Sequence, residues 1–323
     1  MSVLVLDGET VLRTLDMPAC IDLMAATQCA ISRGEIELPL RSMLPVADGA
    51  GYFGVMPGEI GSSDVIGAKL VTLFPANPER GIPTVQGHIL LFDGEDGTPL
   101  ALVEAGSVTA VRTAAASGAA TRVLAREDAT ALAVLGCGVL AETHLQAMLA
   151  VRPVRDVRIW GRNLDKATAF AKRHADQGGT RVRAVADAAE AVAGAHLVCT
   201  VTGSYTPILE GEWLSPGTHV NLVGAHNPAT READGRVLER GRVYTEITEF
   251  ALAEAGDLLL AIEEGHFASS DIAGEIGQVI DGNIPGRSSE SEITVYKSLG
   301  NTAQDLAATH YVYTKVTASP GGG

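Results

Sequence analysis

The spacing of apolar residues along the chain changes near residue 118. Before that point, a pattern with helical periodicity over 17–33 is followed by short apolar runs that Gly and Pro separate, at 67–73, 84–92 and 99–104. Short runs of this kind are typical of strands. This part of the chain therefore predicts an α+β domain with a meandering sheet.

After an Ala-rich helix predicted over 111–125, strand-like and helix-like segments alternate. The predicted strands are 131–136, 156–161, 180–185, 196–202, 219–224 and 242–247, and helices are predicted near 251–264 and 271–280. Such alternation predicts βαβ units on a parallel sheet. A last strand and an amphipathic helix over 290–305 lead back toward the first domain.

Composition narrows the class of protein. The 323 residues correspond to about two domains of roughly 150 residues, and the 46% hydrophobic and 20% charged residues exclude a disordered or collagen-like chain. With 24 basic and 39 acidic residues, the net charge of −15 repels nucleic acid and anionic lipid. We expect neither as a partner.

The four cysteines show no metal-ligand spacing and no disulfide framework. We therefore expect no metal site and a protein of the reducing cytoplasm. The first residues contain no apolar stretch of signal-peptide length, and no later run is long enough to span a membrane. Residues 319–323 are predicted to be a loose tail.

The strongest motif is G-x-G-x-x-A after the apolar strand at 131–135. Gly136 allows a tight turn, Gly138 lets the backbone approach a pyrophosphate, and the small Ala141 permits close packing of helix on strand. The helix that follows begins at Val139 and Leu140, whose N–H groups would face the phosphates. The alternative is a Gly-rich turn that binds nothing, which the strand before and the helix after make less favourable.

The end of the next strand bears on which dinucleotide binds. An NAD site usually has an Asp or Glu there, but this strand ends Trp160-Gly161-Arg162-Asn163. Arg162 can pair with a 2′-phosphate, and Asn163 and Lys166 are near enough in sequence to assist, which favours NADP(H) while NAD(H) remains possible. The alternative for Arg162 is a solvated surface arginine.

Three single cations stand among apolar or neutral residues of the first domain: Arg41, Lys69 and Arg112. Burying such a cation is costly unless it meets an anion, so each one indicates a carboxylate from a ligand or from the protein. For any one of them alone, a surface or structural ion pair remains an alternative.

Several sequence segments, spread over nearly the whole chain, resemble those of the ornithine cyclodeaminase and mu-crystallin family. They are MPG, GAKLVTLFPAN, GIPTVQG, TAVRTAAAS, the Gly136 loop, WLSPGTH and ITVYKSLGNTAQD. The resemblance implies an α/β fold in which a Rossmann-type, doubly wound dinucleotide-binding domain at 118–299 accompanies an α+β substrate and dimerisation domain. That second domain would combine 1–117 with 300–323 and pair its sheets into a homodimer.

The resemblance also places the family's grip on the substrate carboxylate at Arg41, Lys69 and Arg112, with Thr84 near the same pocket and Thr113 near the cofactor. Two guanidinium groups and one ammonium can hold an α-carboxylate and fix its Cα against a nicotinamide. Lys69, crowded by two arginines, should have a lowered pKa and is a candidate proton donor. A purely electrostatic role is the alternative.

His226 departs from the family pattern, because cyclodeaminases carry an Asp at that place. A neutral imidazole pairs less well with a second substrate amine, and a charged one repels it, so ornithine cyclisation is disfavoured. His226 remains a candidate catalytic group that polarises an imine, relays a proton or contacts the substrate tail. The alternative is a structural loop histidine.

Together these features favour an NAD(P)H-dependent oxidoreductase that reduces carboxylated imines by hydride transfer to Cα. The expected substrates are cyclic ketimines such as pyrroline-2-carboxylate and piperideine-2-carboxylate, or open-chain imino acids. The enzymatic alternatives are ornithine cyclodeaminase with recycled NAD and an alanine dehydrogenase-like enzyme. A mu-crystallin-type protein that binds NADPH and a small acid is the alternative from a different class.

Overall fold

The computed structural model describes residues 3–61, 65–175 and 179–318. The predicted tail at 319–323 lies outside them. The chain divides into two compact units, Met1–Arg112 with Gly300–Gly323 and Thr113–Leu299. The division falls between residues 112 and 113, inside one helix, whereas the sequence placed it between 117 and 118. No helix in the described part of the chain is long and apolar enough to cross a membrane.

The helices and strands are numbered in chain order. The strands are β1 (Leu4–Leu6), β2 (Ser42–Val46), β3 (Gly51–Ile60), β4 (Val65–Leu73), β5 (Val85–Asp93), β6 (Pro99–Glu104), β7 (Ala131–Leu135), β8 (Asp156–Trp160), β9 (Arg181–Ala184), β10 (Leu197–Thr200), β11 (His219–Leu222), β12 (Gly241–Thr245), β13 (Ile272–Glu275) and β14 (Ile293–Lys297). The α-helices are α1 (Gly8–Thr14), α2 (Met17–Ser32), α3 (Ala105–Leu124), α4 (Val139–Val151), α5 (Leu164–Arg173), α6 (Ala188–Val192), α7 (Gly235–Arg240), α8 (Thr248–Glu254), α9 (Gly256–Glu263), α10 (Ile276–Ile280) and α11 (Thr302–Ala318).

The sheet of the first unit has the strand order β1-β6-β5-β4-β3-β2. Strands β2 to β6 form an antiparallel meander, so the predicted meandering sheet is confirmed, and β1 adds to its edge in parallel with β6. The sequence analysis missed β3, because Pro57 and three glycines interrupt its apolar pattern. Its pairing with β4 along its full length, from Tyr52 with Leu73 to Ile60 with Val65, stabilises it as a strand.

The two faces of this sheet differ in what covers them. Helix α11 packs on β3, β4 and β5, and a β-carbon added at Gly67 would lie 2.7 Å from Leu306 on that helix. Side chains alternate between faces along a strand, so the opposite face carries Leu44 beside Phe53, and Ile66 beside Phe92. Leu44, Phe53 and Ile66 are exposed. This exposed apolar surface is called the outer face below.

The sheet of the second unit is parallel throughout its described strands, in the order β13-β12-β14-β11-β10-β7-β8-β9. Side chains of its central strands, such as Val134, Val198, Val220 and Val295, are fully buried. The order from β9 to β11 is that of a doubly wound dinucleotide-binding sheet, which binds its ligand beyond the carboxyl ends of the strands where the order reverses. The predicted α/β fold class is confirmed.

Two predicted helices have different bounds in the structure. The helix predicted at 271–280 is in fact the edge strand β13 followed by the short helix α10, and the bulged pairing of β13 with β12 stabilises the extended form. Helix α3 begins at Ala105 rather than at residue 111. Its start is fixed by the Glu104 carboxylate, which accepts hydrogen bonds from the N–H groups of Gly106 and Ser107 at 2.6 and 2.7 Å.

Candidate functional site

Arg41, Lys69 and Arg112 come together in the first unit, and we call them the cation cluster. Lys69 lies in the middle of β4, where the strand register places it between Met56 and Ile89 on the face that α11 covers. Arg112 lies on α3, and its side chain, like that of Lys69, is almost completely buried. Buried cations need an anion nearby.

That anion is Asp305 at the start of α11, whose side chain is fully buried. Its Oδ1 accepts a hydrogen bond from Arg112 Nε at 2.8 Å and another from Lys69 Nζ at 3.3 Å. Its Oδ2 is buried and has no hydrogen-bond partner among the described residues. One carboxylate oxygen therefore holds both cations.

The chain on either side of Asp305 orients the guanidinium of Arg112. Gln304 Oε1 accepts a hydrogen bond from Arg112 Nη1 at 2.9 Å. Gly300 has a φ of +74°, and a β-carbon there would lie 2.7 Å from Nη2 and overlap Nη1, so only glycine fits. Within the described part of the chain, Nη2 has no partner. The outer end of the guanidinium is therefore available to bind a carboxylate.

Burial lowers the pKa of Lys69 to about 8. The charge of Asp305 opposes this shift, while Arg112 and, to a smaller extent, Arg41 lower the pKa further. The direction agrees with the sequence-based expectation, but removal of the ammonium from water, rather than crowding by arginines, is the largest cause. An amine with this pKa can release a proton near neutral pH.

Arg41 is the most exposed member of the cation cluster, and Thr84 lies five residues before Ile89, the strand partner of Lys69. Arg41 is half-buried, and its Nη2 lies 3.5 Å from the carbonyl oxygen of Gly300. Thr84 lies just before β5, where its carbonyl accepts a hydrogen bond from the N–H of Phe74. Among the described residues, the Thr84 hydroxyl makes no hydrogen bond to the cation cluster, so its predicted role as a substrate contact stays a prediction.

The loop after β7 fits a dinucleotide. Gly136 has a φ of +138°, and a β-carbon there would lie 2.9 Å from the carbonyl oxygen of Val201, so a side chain is excluded. At Gly138, which caps α4 without any side chain, a β-carbon would meet no atom within 4 Å. The N–H groups of the first turn, from Val139 and Leu140, have no acceptor inside the helix. This open helix end can bind a pyrophosphate.

The end of β8 carries the predicted adenosine-side residues. Arg162, Asn163 and Lys166 are all exposed, and no carboxylate pairs with Arg162 within the described residues. Asn163 has a structural task, because its Oδ1 accepts a hydrogen bond from the N–H of Lys166 at 3.0 Å and caps α5. Only its amide nitrogen is left for a ligand.

Two further predicted positions differ in exposure. Thr113, next to Arg112 on α3, is buried. Cys137 is partly exposed in the loop after β7, and a β-carbon added at Gly161 would lie 2.9 Å from its Sγ. This close packing against Gly161 fits a small residue in the loop.

His226 lies on the loop after β11, in the second unit, and is exposed. Its Nδ1 is 3.0 Å from the carbonyl oxygen of Gly224. Since the carboxyl ends of parallel strands meet at one edge of a sheet, this loop lies at the same edge as the Gly136 loop. Its assigned catalytic role is not tested by these contacts.

Buried charges hold the loop that carries His226. Glu232 accepts hydrogen bonds from the N–H groups of Gly224 and Thr202, both at 2.6 Å. Burial raises the pKa of Glu232, and Asp257 raises it further. Lys297 donates to the carbonyl oxygen of Ala225 at 2.7 Å. The backbone on both sides of the loop is therefore fixed from inside the unit.

Sequence reasoning assigned no role to Asp305, Gln304, Glu232, Asp257 or Lys297. Lys297 and Asp305 both lie in the segment ITVYKSLGNTAQD, which was noted only for its resemblance to the family. A charge that ends a fully apolar strand, or stands inside an apolar helix, indicates a buried partner. The partners themselves lie far away in sequence, so the pairing could not be deduced from local pattern.

Known proteins match nearly the whole chain. The model of the ornithine cyclodeaminase/mu-crystallin family matches residues 2–320. The mouse (Mus musculus) ketimine reductase mu-crystallin is 38% identical over 280 residues, which are 87% of this chain and 85% of the relative. The structure of Thermococcus litoralis Delta(1)-pyrroline-2-carboxylate reductase in complex with NADH and L-proline has a TM-score of 0.94 at 31% identity and covers 98% of both chains. An archaeal alanine dehydrogenase dimer with bound NAD has a TM-score of 0.92 at 30% identity and covers 98% of this chain and 97% of its own.

Proposed function

The chain belongs to the ornithine cyclodeaminase/mu-crystallin family, and from this we propose that it is an NAD(P)H-dependent reductase of carboxylated imines. The substrate class is a small α-imino acid, either a cyclic ketimine such as pyrroline-2-carboxylate or piperideine-2-carboxylate, or an open-chain imino acid. A ketimine reductase and a pyrroline-2-carboxylate reductase among its relatives support this class.

The observation that carries the proposal is that Lys69 and Arg112 are both held by Asp305. Arg112 keeps its outer guanidinium end for the substrate carboxylate, and Arg41 adds positive charge beside it. Lys69 has a pKa of about 8, so near neutral pH it is mostly charged yet close to releasing its proton. Carboxylate binding and proton donation are thus assigned to different side chains.

The reaction balances with these groups. NAD(P)H, when bound, supplies a hydride to Cα. The Lys69 ammonium gives its proton to the imine nitrogen, the C=N double bond becomes an amine, and the neutral Lys69 regains a proton from solvent. Arg112 and Arg41 hold the carboxylate, which fixes Cα in place throughout.

We assign NADP(H) as the preferred cofactor. The support is an exposed Arg162 just after β8, where Gly161, Arg162 and Asn163 stand in place of the carboxylate that usually ends this strand in an NAD site. Two relatives with a solved structure hold NADH and NAD, so a nicotinamide dinucleotide is common to both, and the proposed preference for NADP(H) rests on Arg162.

We further propose a homodimer that forms through the outer face of the first unit's sheet. Exposed Leu44, Phe53 and Ile66 make that face apolar, which favours burial against a second copy. The archaeal alanine dehydrogenase is also a dimer. All four cysteines are free thiols, which suits the reducing cytoplasm.

A substrate panel tests the function. Oxidation of NADPH and NADH is followed by absorbance with pyrroline-2-carboxylate, piperideine-2-carboxylate, pyruvate with ammonia or methylamine, and oxaloacetate with ammonia. We expect turnover with at least one imino acid. Ammonia release from ornithine without net cofactor change would instead establish a cyclodeaminase. Tight NADPH binding without oxidation across the whole panel would establish a binding protein.

A further inference from the structure

We propose that Asp305 is a positioning residue for this reduction: by holding Lys69 and Arg112 on one oxygen atom, it reserves Arg112 for the substrate carboxylate and Lys69 for proton transfer. This inference rests on the proposed function. It adds a residue that neither the sequence analysis nor the expected carboxylate grip includes.

Asp305 and Gln304 hold two of the N–H groups of the Arg112 guanidinium. Asp305 Oδ1 takes the Nε–H of Arg112, at 2.8 Å, and Gln304 takes one N–H of Nη1. The guanidinium plane is thereby fixed from the α11 side. A guanidinium has five N–H donors in a rigid fork, so fixing the inner two aims the remaining three at a ligand.

Lys69 is held by the same carboxylate oxygen as Arg112. The same Oδ1 lies 3.3 Å from Lys69 Nζ and takes one of its three N–H donors. Two N–H groups remain for a substrate. Because both cations share one oxygen atom, a displacement of Asp305 would move the proton donor and the carboxylate anchor together.

Only one of the two oxygen atoms of the Asp305 carboxylate makes hydrogen bonds among the described residues. Its Oδ2 is buried without a hydrogen-bond partner among the described residues, and its side chain is fully buried. Desolvating a carboxylate costs several kcal/mol, and an unmatched oxygen makes it a poor stabiliser of the fold. The contribution of Asp305 therefore lies in the contacts of its Oδ1, which compensates and orients Lys69 and Arg112 together.

The charge of Asp305 also has a consequence for titration. The charged groups that act on Lys69 are Asp305 from α11, Arg112 from α3 and Arg41 from the segment before β2. Asp305 is the one that raises the Lys69 pKa, against burial and both arginines. Without its negative charge, Lys69 would lose its proton at lower pH.

The test is the pH profile of kcat/KM for Asp305→Asn, which keeps the shape and removes the charge. We expect the alkaline limb to move to lower pH by about one unit or more, with a lower kcat and a higher KM. The conservative Asp305→Glu should restore the position of the limb. A purely structural role would lower activity by the same factor at every pH, and an unmoved limb in Asp305→Asn would overturn the proposal.

Asp257→Asn is the matched control, because Asp257 is also fully buried and paired with a lysine, Lys297, in the other unit. It should lower stability without moving the limb. If the wild-type protein turns over none of the imino acids, the proposed function is wrong. If the wild type is active and the limb of Asp305→Asn stays in place, only this inference fails.

A second pair of variants covers the case in which Asp305→Asn does not fold. The double variant Lys69→Met/Asp305→Asn removes both charges of the ion pair. Its kcat is compared with that of the single variant Lys69→Met. Since Asp305 acts on proton transfer through Lys69, we expect kcat values that agree within about threefold, with KM still raised through Arg112. A further tenfold fall in kcat would contradict the proposal.

Discussion

The ammonium of Lys297 lies 3.0 Å from Oδ2 of Asp257, and both side chains are fully buried. Asp257 Oδ1 accepts hydrogen bonds from the N–H groups of Glu232 and Ala233, while Lys297 donates to the carbonyl oxygens of Leu222 and Ala225. The pair therefore joins β14, α9 and the loop that carries His226. Each charge depends on the other for compensation.

Lys297→Met should accordingly lower the free energy of unfolding by about 3–5 kcal/mol, since it leaves Asp257 buried without a cation. Urea unfolding followed by circular dichroism measures the change. The control is Arg183→Ala, which breaks the exposed pair with Glu190 and should cost less than about 1 kcal/mol. Equal losses for the two variants would mean that the buried pair is no more important than a surface one.

Local pattern was sufficient to predict the parallel sheet and the Gly136 loop. Each needs only a strand of apolar residues, a turn and a helix that follow one another in sequence. The positions of Arg41, Lys69 and Arg112 were likewise found as isolated cations, although their convergence depended on a family resemblance. The role of Asp305 could not be predicted from the sequence. Its ion pair with Lys69 joins residues that are 236 positions apart, and a local periodic pattern does not indicate such a contact.

Two individual positions also show what the sequence pattern could not predict. Strand β13 is extended because it pairs with β12, although its residues lie in a stretch with helical spacing. Asn163 was expected to assist phosphate binding from its place after β8, and the structure adds a second role, because its side-chain Oδ1 caps α5. The pairing of β13 and the cap at Asn163 are both interactions that the sequence pattern alone does not reveal.

Arg112→Ala should abolish most of the imine reduction and leave dinucleotide binding intact. It removes the guanidinium that Asp305 and Gln304 hold and that is proposed to bind the substrate carboxylate, so kcat/KM should fall about 100-fold or more, the scale of a lost charge-assisted contact. Steady-state kinetics gives this value, and fluorescence titration gives the Kd for NADPH. Arg122→Ala, an exposed arginine on the same helix, is the control and should leave kcat/KM unchanged. Near-normal turnover in Arg112→Ala would place the substrate elsewhere.

The pH dependence of reduction should follow Lys69. Its pKa of about 8 lies below the ordinary lysine value because of burial, and the donor is the protonated form, so raising the pH through this value removes activity. We expect kcat/KM to fall about tenfold per pH unit above about pH 8. Initial rates in buffers of constant ionic strength measure the limb.

Lys69→Arg separates proton donation from simple attraction. A guanidinium keeps the positive charge but does not give up its proton at these pH values. If Lys69 donates the proton, the variant should be slow at all pH values and should lack the limb near pH 8. Retention of most of the wild-type rate would assign Lys69 a purely electrostatic role.

Arg162→Ala should weaken NADPH binding and leave NADH binding nearly unchanged. The lost group is an exposed guanidinium just after β8 that pairs with no carboxylate among the described residues. We expect the Kd for NADPH to rise about 10- to 100-fold, the scale of one or two hydrogen bonds to a charged group. Lys172→Ala, which removes an exposed cation further along α5, controls for general charge. Equal weakening of both dinucleotides would overturn the NADPH preference.

Phe53→Asp should dissociate the proposed homodimer. Phe53 lies beside Leu44 on the outer face, where a second copy would desolvate any side chain, and burying an unpaired carboxylate costs several kcal/mol. Light scattering coupled to size-exclusion chromatography should show one chain mass for the variant and twice that mass for the wild type. The control Leu12→Asp changes an exposed leucine of α1 and should preserve the dimer mass. A dimer that survives Phe53→Asp would place the interface on another surface, because two aspartates at the centre of an apolar contact repel each other as well as resist desolvation.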